Sequence, residues 1–215
     1  MNLSRSDADS IEARVREVES RTGAQIVTAV LRRSDSYPEI VWTAFALAVG
    51  LASVAVAVFD AMRPEWSGGN AALTNLVPVL FVGALSALAT VVVAPYARLY
   101  LHKERAHAEV HQRAHSLFLD RRLTATRDRI GVLLLVSLFE RQVVIVADLG
   151  FDGKLGPAEW NHVIRAMTPL LAQRNHATAL LRGLDALELL LRERGFTQGS
   201  GRDELSNRPI DETSS

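Results

Sequence analysis

Cysteine is missing from the 215-residue chain. Its absence excludes disulfide bonds, thiolate metal ligands, cysteine nucleophiles and thiol redox switches. A net charge is missing as well, because 24 lysines and arginines balance 24 acidic residues. Without an overall positive field, we expect no nucleic-acid partner. The sequence also contains no P-loop, no dinucleotide-binding glycine fingerprint and no nucleophile elbow, so no common hydrolase or nucleotide-enzyme motif indicates a substrate.

Charged residues are absent from two long apolar runs. The first, residues 40–59, would cover about 30 Å as a helix, which is the thickness of the hydrocarbon core of a bilayer. The second, residues 76–97, repeats the pattern. Trp42 and Tyr96 lie near the ends of these runs, where aromatic side chains favour the membrane interface. The sequence therefore predicts a two-helix transmembrane hairpin over residues 39–97.

Basic residues flank the hairpin and are scarce in the loop between its helices. Arg32 and Arg33 precede the first run, Arg98 follows the second, and the loop carries only Arg63. The positive-inside rule then places both termini in the cytoplasm. Because neither run contains an ionisable residue, we do not expect ion or proton transport.

Small residues recur at four-residue spacing in both runs, as at Ala44, Ala48 and Ala52 and again at Gly83 and Ala87. Such spacing allows helix backbones to approach closely. The close contact would lie either within the hairpin or in a homodimer.

The residues outside the hairpin alternate between helix and strand patterns. Residues 1–38 are predicted to form a helix and a strand, and residues 98–195 a helix, two strands and two further helices. The predicted strands are 24–31, 130–138 and 143–147. One helix and one strand cannot bury their apolar faces alone, so we predict a single α/β domain interrupted by the hairpin. The polar tail, residues 196–215, lacks periodicity and is predicted to be disordered.

The most specific pattern is TATRDRIGVLLLVSLFERQVVIVADLGF, Thr124 to Phe151. It resembles the signature of the TPM domain family, T-x-x-R-T-G-V-L-[L/I]-x-V-S-L-x-E-R-x-V-x-[V/I]-x-A-D-x-G-I, with Ile130 in place of the usual threonine. The matching positions are Thr126, Arg129, Gly131, Val132, Ser137, Glu140, Arg141, Val143, Asp148 and Gly150. The resemblance implies an α/β/α sandwich, which agrees with the pattern of helices and strands.

The same resemblance implies one possible activity, since some family members are described as acid phosphatases that bind divalent cations. Longer members begin with an acidic segment, V-x-D-x-A-x-x-L-S. This chain retains only its Leu3 and Ser4, which favours a non-catalytic role.

Two pairs of residues, in the signature or directly after it, are candidate site residues. Asp148 ends a predicted strand and opens a glycine-rich loop, where ligands and catalytic carboxylates collect in α/β sheets. With Asp152 it would supply oxygen ligands for a divalent cation; alternatively, Asp148 caps the turn. Glu140 and Arg141 lie at a predicted hairpin turn and are interpreted as a structural ion pair or a partner surface.

Three histidines, His107, His111 and His115, share one edge of the helix predicted after the hairpin. Imidazoles one turn apart can chelate zinc or copper; alternatively, they are neutral rings at the border of the apolar stripe. The same helix carries Lys103, Arg105 and Arg113, which would suit anionic lipid headgroups.

Our leading hypothesis is a multi-pass protein of the bacterial inner membrane, anchored in the lipid bilayer, whose cytoplasmic domain binds a protein partner or regulates another component without catalysis. The first alternative is a divalent-metal-dependent phosphatase that uses Asp148 and neighbouring acids. The second is a metal or lipid sensor on the histidine-rich helix.

Overall fold

The computed structural model describes residues 3–62, 71–126, 128–197 and 206–212. Half of the predicted hairpin loop (63–70) and parts of the predicted tail (198–205 and 213–215) lie outside the described residues. The chain divides into two compact units. One is Asp35–Ala106, and the other combines Met1–Ser34 with His107–Ser215.

The elements follow in chain order. The helices are α1 (Arg5–Thr22), α2 (Pro38–Met62), α3 (Ala71–Val92), α4 (Ala94–Ala97), α5 (Lys103–Asp120), α6 (Pro157–Ala172) and α7 (His176–Glu193). The strands are β1 (Gln25–Leu31), β2 (Gly131–Ser137), β3 (Gln142–Ala147) and β4 (Ile210–Glu212). Short 3-10 turns occupy Arg98–Tyr100, Leu123–Ala125 and Leu149–Phe151.

Helix α1 begins and ends on local signals. The Ser4 hydroxyl accepts the Asp7 N–H at 3.0 Å and the Asp7 carboxylate accepts the Ser4 N–H at 3.2 Å, which completes a capping box. At the other end, Gly23 adopts φ 75°, a left-handed conformation that glycine reaches without a Cβ clash. The helix therefore ends at Thr22, and two residues separate it from β1.

The four strands form one sheet in the order β3-β2-β1-β4. Strand β1 runs parallel to β2 with Gln25 opposite Gly131 and Leu31 opposite Ser137, and β3 returns antiparallel to β2. The segments before and after the hairpin thus share one sheet. Every residue of β1 and β2 is buried, as expected for central strands covered on both faces.

Alternate residues of β1 belong to two different apolar cores. Ile26 and Val30 pack with residues of α1, α6 and α7, whereas Val27 and Ala29 pack with α5. This division follows from the two-residue period of a strand, which turns successive side chains to opposite faces. The arrangement confirms the predicted α/β/α fold.

The predicted disorder of residues 196–215 is wrong for part of that tail. Residues 210–212 form β4, which pairs in parallel with the outer edge of β1 from Ala29 to Leu31. An edge leaves backbone groups without partners, so pairing there satisfies them. A side chain of β4 also bonds to the segment before α1, since the Asp211 carboxylate accepts the Leu3 N–H at 3.0 Å. Three residues are too few to show a periodicity that the sequence would reveal.

Helices α2 and α3 dominate the other unit. Both are long and apolar enough to cross a membrane, and large side chains such as Trp42, Leu51 and Phe81 are exposed on them, unlike those of a buried core helix. Helix α3 stops at Val92, five residues before the predicted end of the second span. Pro95 explains the break, because it lacks an N–H and suits the first turn of the short α4.

Candidate functional site

The carboxylate of Asp148 is held inside the loop that follows β3. It accepts the Leu149 N–H at 2.8 Å, and the Arg129 guanidinium lies 3.3 and 3.4 Å from its two oxygens. The side chain is 3% exposed. Its described contacts match the capping alternative, in which the aspartate organises the turn.

Gly150 packs this loop against the segment before β2. A Cβ at this position would lie 2.6 Å from the carbonyl oxygen of Arg129 and 2.8 Å from that of Asp128. The Gly150 N–H also donates to the Arg129 carbonyl at 2.9 Å. The glycine is therefore required because the two backbones touch, and it brings Arg129 towards Asp148.

Asp152 lies at the end of the same 3-10 turn and is exposed. Its backbone N–H donates to the Leu149 carbonyl at 3.0 Å. Among the described ranges, no group of three or more histidine, aspartate or glutamate side chains is placed to hold a metal ion. Binding of a divalent cation by Asp148 and Asp152 therefore remains a prediction. These two carboxylates would be the protein ligands of the cation.

Glu140 lies in the β2–β3 turn but is buried. Its carboxylate accepts the Ser34 N–H at 2.9 Å and a short hydrogen bond from the Ser137 hydroxyl. Because that hydroxyl donates to the carboxylate, its oxygen accepts from the Ser34 hydroxyl, 2.9 Å away. Of the two predicted turn residues, Glu140 thus fixes the chain internally, whereas Arg141 is exposed at φ 55°.

The three histidines do lie on one edge of α5. The ring centroids of His107 and His111 are 4.2 Å apart, and those of His111 and His115 are 6.4 Å apart. Partial burial lowers the pKa of His111, and positive charge on His107 or His115 lowers it further. The ring is therefore neutral near neutral pH.

The cations that suggested a lipid surface on α5 are partly neutralised. Arg105 lies 3.5 Å from Asp35 and 3.1 Å from Glu39, and Arg113 lies 2.7 Å from Glu212. These ion pairs reduce the positive charge offered to anionic headgroups.

Sequence reasoning missed the main electrostatic contact between α1 and α7. Glu188, whose side chain is 7% exposed, lies 2.6 Å from Arg14 and 3.0 Å from Arg21. The available signal was an acid next to the inward-facing leucines of α7, where a buried carboxylate needs a charged partner. Which arginines supply it depends on how the helices pack.

Comparisons with known proteins bear on the family and the fold. Residues 89–189 match the model of the TPM domain. A search of curated proteins finds no match. The NMR structure of BA42 protein from the psychrophilic bacterium Bizionia argentinensis aligns with 97% of this chain and 94% of its own, at a TM-score of 0.57 and 15% identity. At that identity the similarity concerns the fold alone. The segment that matches the TPM domain model, residues 89–189, does not include β1, although β1 lies inside the sheet.

Proposed function

Since residues 89–189 match the model of the TPM domain, we propose that the chain is a membrane-anchored binding or regulatory module and not a catalyst. One observation carries the proposal: the two acids at characteristic positions of the signature, Asp148 and Glu140, are engaged within the fold. Asp148 is occupied by Arg129 and a backbone N–H, and Glu140 by Ser137 and a backbone N–H. Metal-dependent hydrolysis needs carboxylates that converge on an open coordination position.

The anchor in this proposal is the pair α2 and α3, which are long and apolar enough to span a bilayer. Arginines flank the two runs, so both termini are proposed to lie on the cytoplasmic side of the inner membrane. A cysteine introduced in place of Thr197, an exposed residue beyond α7, tests the orientation, because the chain contains no other thiol. Labelling from the cytoplasmic side alone is expected, and labelling from outside alone would reverse the topology.

The partner surface is proposed to surround the β2–β3 turn. Arg32, Arg33 and Arg141 are exposed there, and the turn is fastened to the end of β1 because the Phe139 N–H donates to the Arg32 carbonyl at 3.0 Å. The Arg33 guanidinium lies over the Phe139 ring, 4.1 Å from its centroid. A rigid basic surface suits an acidic segment of a protein partner.

Photo-crosslinking in membranes tests this surface. We would place benzoylphenylalanine at position 141, with position 165 as the control, since Arg165 is an exposed arginine of α6. The proposal expects a discrete adduct from position 141 that is absent from position 165 and is lost when Arg32 and Arg33 are changed to glutamate. An adduct of twice the chain mass would identify the partner as a second copy. Equal adducts from both positions, or lipid adducts alone, would refute a protein partner at this surface.

The phosphatase alternative is tested with the purified full chain. Hydrolysis of p-nitrophenyl phosphate is measured with Mg²⁺, Mn²⁺ or Ca²⁺, for the wild type beside Asp148→Asn and Glu193→Gln. Metal-dependent turnover that is lost only in Asp148→Asn would overturn the binding proposal. A hydrolysis rate equal to that of buffer without protein would support the binding proposal.

A further inference from the structure

The edge of α5 formed by His107, His111 and His115 offers imidazole nitrogens one helical turn apart. Unlike the carboxylates of the TPM signature, these rings make few contacts that compete with a ligand. His107 and His115 are exposed, and His111 is half-buried. The facing rings of His107 and His111 meet edge to face, with centroids 4.2 Å apart.

The tautomer of neutral His115 follows from its hydrogen bond. Its Nδ1 lies 2.8 Å from the carbonyl oxygen of His111. A carbonyl oxygen only accepts, so Nδ1 carries the hydrogen and Nε2 presents a bare lone pair. Histidines that ligate metals characteristically donate their second ring N–H to such a carbonyl, which fixes the orientation of the ring.

The spacing of the rings suits a shared ion. With Zn–N bonds of about 2.1 Å and a tetrahedral angle, two coordinated imidazoles have centroids about 5 Å apart. The separation of His107 and His111 is below that value and the separation of His111 and His115, 6.4 Å, is above it. Each pair therefore needs a change of about 1 Å, which side-chain rotation supplies.

The geometry points to an open transition-metal site on α5, in which we propose that His111 and one neighbouring histidine chelate a single Zn²⁺ ion. Among the described residues no third histidine, aspartate or glutamate joins such a group, so water completes the coordination. The guanidinium of Arg113, on the same helix, is directed to Glu212 at 2.7 Å. This site uses none of the residues of the basic surface near Arg141 and does not rest on the proposed binding role.

The test is Zn²⁺ titration of the full chain in detergent, with no affinity tag, by isothermal titration calorimetry. The variants are His111→Asn, His107→Asn, His115→Asn and, as the matched control, His162→Asn, an exposed histidine of α6. Far-UV circular dichroism of each variant verifies that α5 remains folded. Cu²⁺ electron paramagnetic resonance gives an independent count of the coordinated nitrogens.

We expect saturable binding of one Zn²⁺ per chain, unchanged in His162→Asn. His111→Asn should weaken it by more than about tenfold, because even a residue that only supports a ligand is worth about 10–100-fold in affinity. Whichever of His107→Asn and His115→Asn shows the larger loss identifies the second ligand. Absence of saturable binding, equal affinity in His111→Asn and the wild type, or a Cu²⁺ spectrum without two coordinated imidazoles would overturn the proposal.

Discussion

The carboxylate of Glu19 accepts the backbone N–H of Ile26 at 2.7 Å in the interior of the α/β unit. Strand β4 pairs with β1 only from Ala29 onward. Among the described residues, the first half of β1 therefore has no neighbouring strand on that side, and Glu19, near the end of α1, takes the place of one. A side chain thus completes the hydrogen bonding of a buried strand.

Glu19→Ala is expected to lower the free energy of unfolding by about 1–3 kcal/mol, because it leaves a buried N–H without an acceptor. Glu19→Gln should retain part of the stability, since the amide oxygen still accepts. Urea unfolding followed by circular dichroism measures both. Glu193→Ala, at an exposed position of α7, should change the value by less than about 0.5 kcal/mol; an equal loss in Glu19→Ala and Glu193→Ala would contradict the assignment.

The contribution of Glu188 should depend on pH. Burial alone raises the pKa of Glu188, but hydrogen bonds from Arg21 and Arg14 outweigh it and lower the pKa below its ordinary value. The stabilisation is therefore complete above the pKa of the unfolded chain, about 4.3, and is lost as the pH falls through the lower pKa of the folded chain.

At pH 7 we expect Glu188→Gln to reduce the free energy of unfolding by about 1.5–3 kcal/mol, the range for hydrogen bonds to charged groups. The difference from the wild type should shrink progressively below about pH 4. Urea titrations at pH 7 and pH 3 measure it, with Glu193→Gln as the control. A difference that is the same at both pH values would mean that the ion pair does not stabilise the fold.

Ser137→Ala should lower the free energy of unfolding by about 1 kcal/mol. It removes a donor to the buried Glu140 carboxylate and the acceptor of the Ser34 hydroxyl. Ser116→Ala is the matched control, because its hydroxyl makes one exposed hydrogen bond of 3.5 Å to Asp120. Equal thermal unfolding temperatures for the two variants would show that the buried serine contributes no more than the exposed one.

Gly83→Ala should loosen the packing of α2 against α3. The added Cβ would lie 2.5 Å from Val49 and 2.9 Å from Phe45, and such overpacking costs about 1–3 kcal/mol. At Gly50, on α2, an added Cβ meets nothing within 4 Å, so Gly50→Ala should leave the thermal stability in detergent unchanged or raised. The reverse order of stability would assign the close packing to Gly50 instead.

The small residues of the two helices were predicted to pack either within the hairpin or in a dimer. The structure assigns Gly83 and Ala44 to the hairpin interface, since a Cβ at Gly83 would meet α2 and the Ser86 hydroxyl donates to the Ala44 carbonyl at 3.1 Å. Ala48 and Ala52 line an open groove with Ser86. Spacing alone reveals that close approach is possible, because it marks a smooth helix face. It does not reveal which partner uses that face.

The candidate site was only partly predictable. The signature located Asp148 and Glu140 at strand ends, and the spacing of the histidines placed them on one helical edge. Neither pattern revealed that Arg129 lies against Asp148. Neither revealed that the N–H of Ser34, 106 residues before Glu140, donates to the Glu140 carboxylate. Those contacts depend on how loops from different strands meet.

The sequence by itself determined the two helices with long uncharged runs, the apolar faces of α1, α5 and α7, and the central strands. These features follow from hydrophobic periodicity and local capping, which a short window of residues records. Only the tertiary structure decided that β4 pairs with the edge of β1, that the Glu19 carboxylate accepts the Ile26 N–H, and that Glu188 pairs with Arg14. A polar residue at a position that the sequence pattern predicts to be buried indicates that a partner is needed. The packing of distant segments determines which residue that partner is.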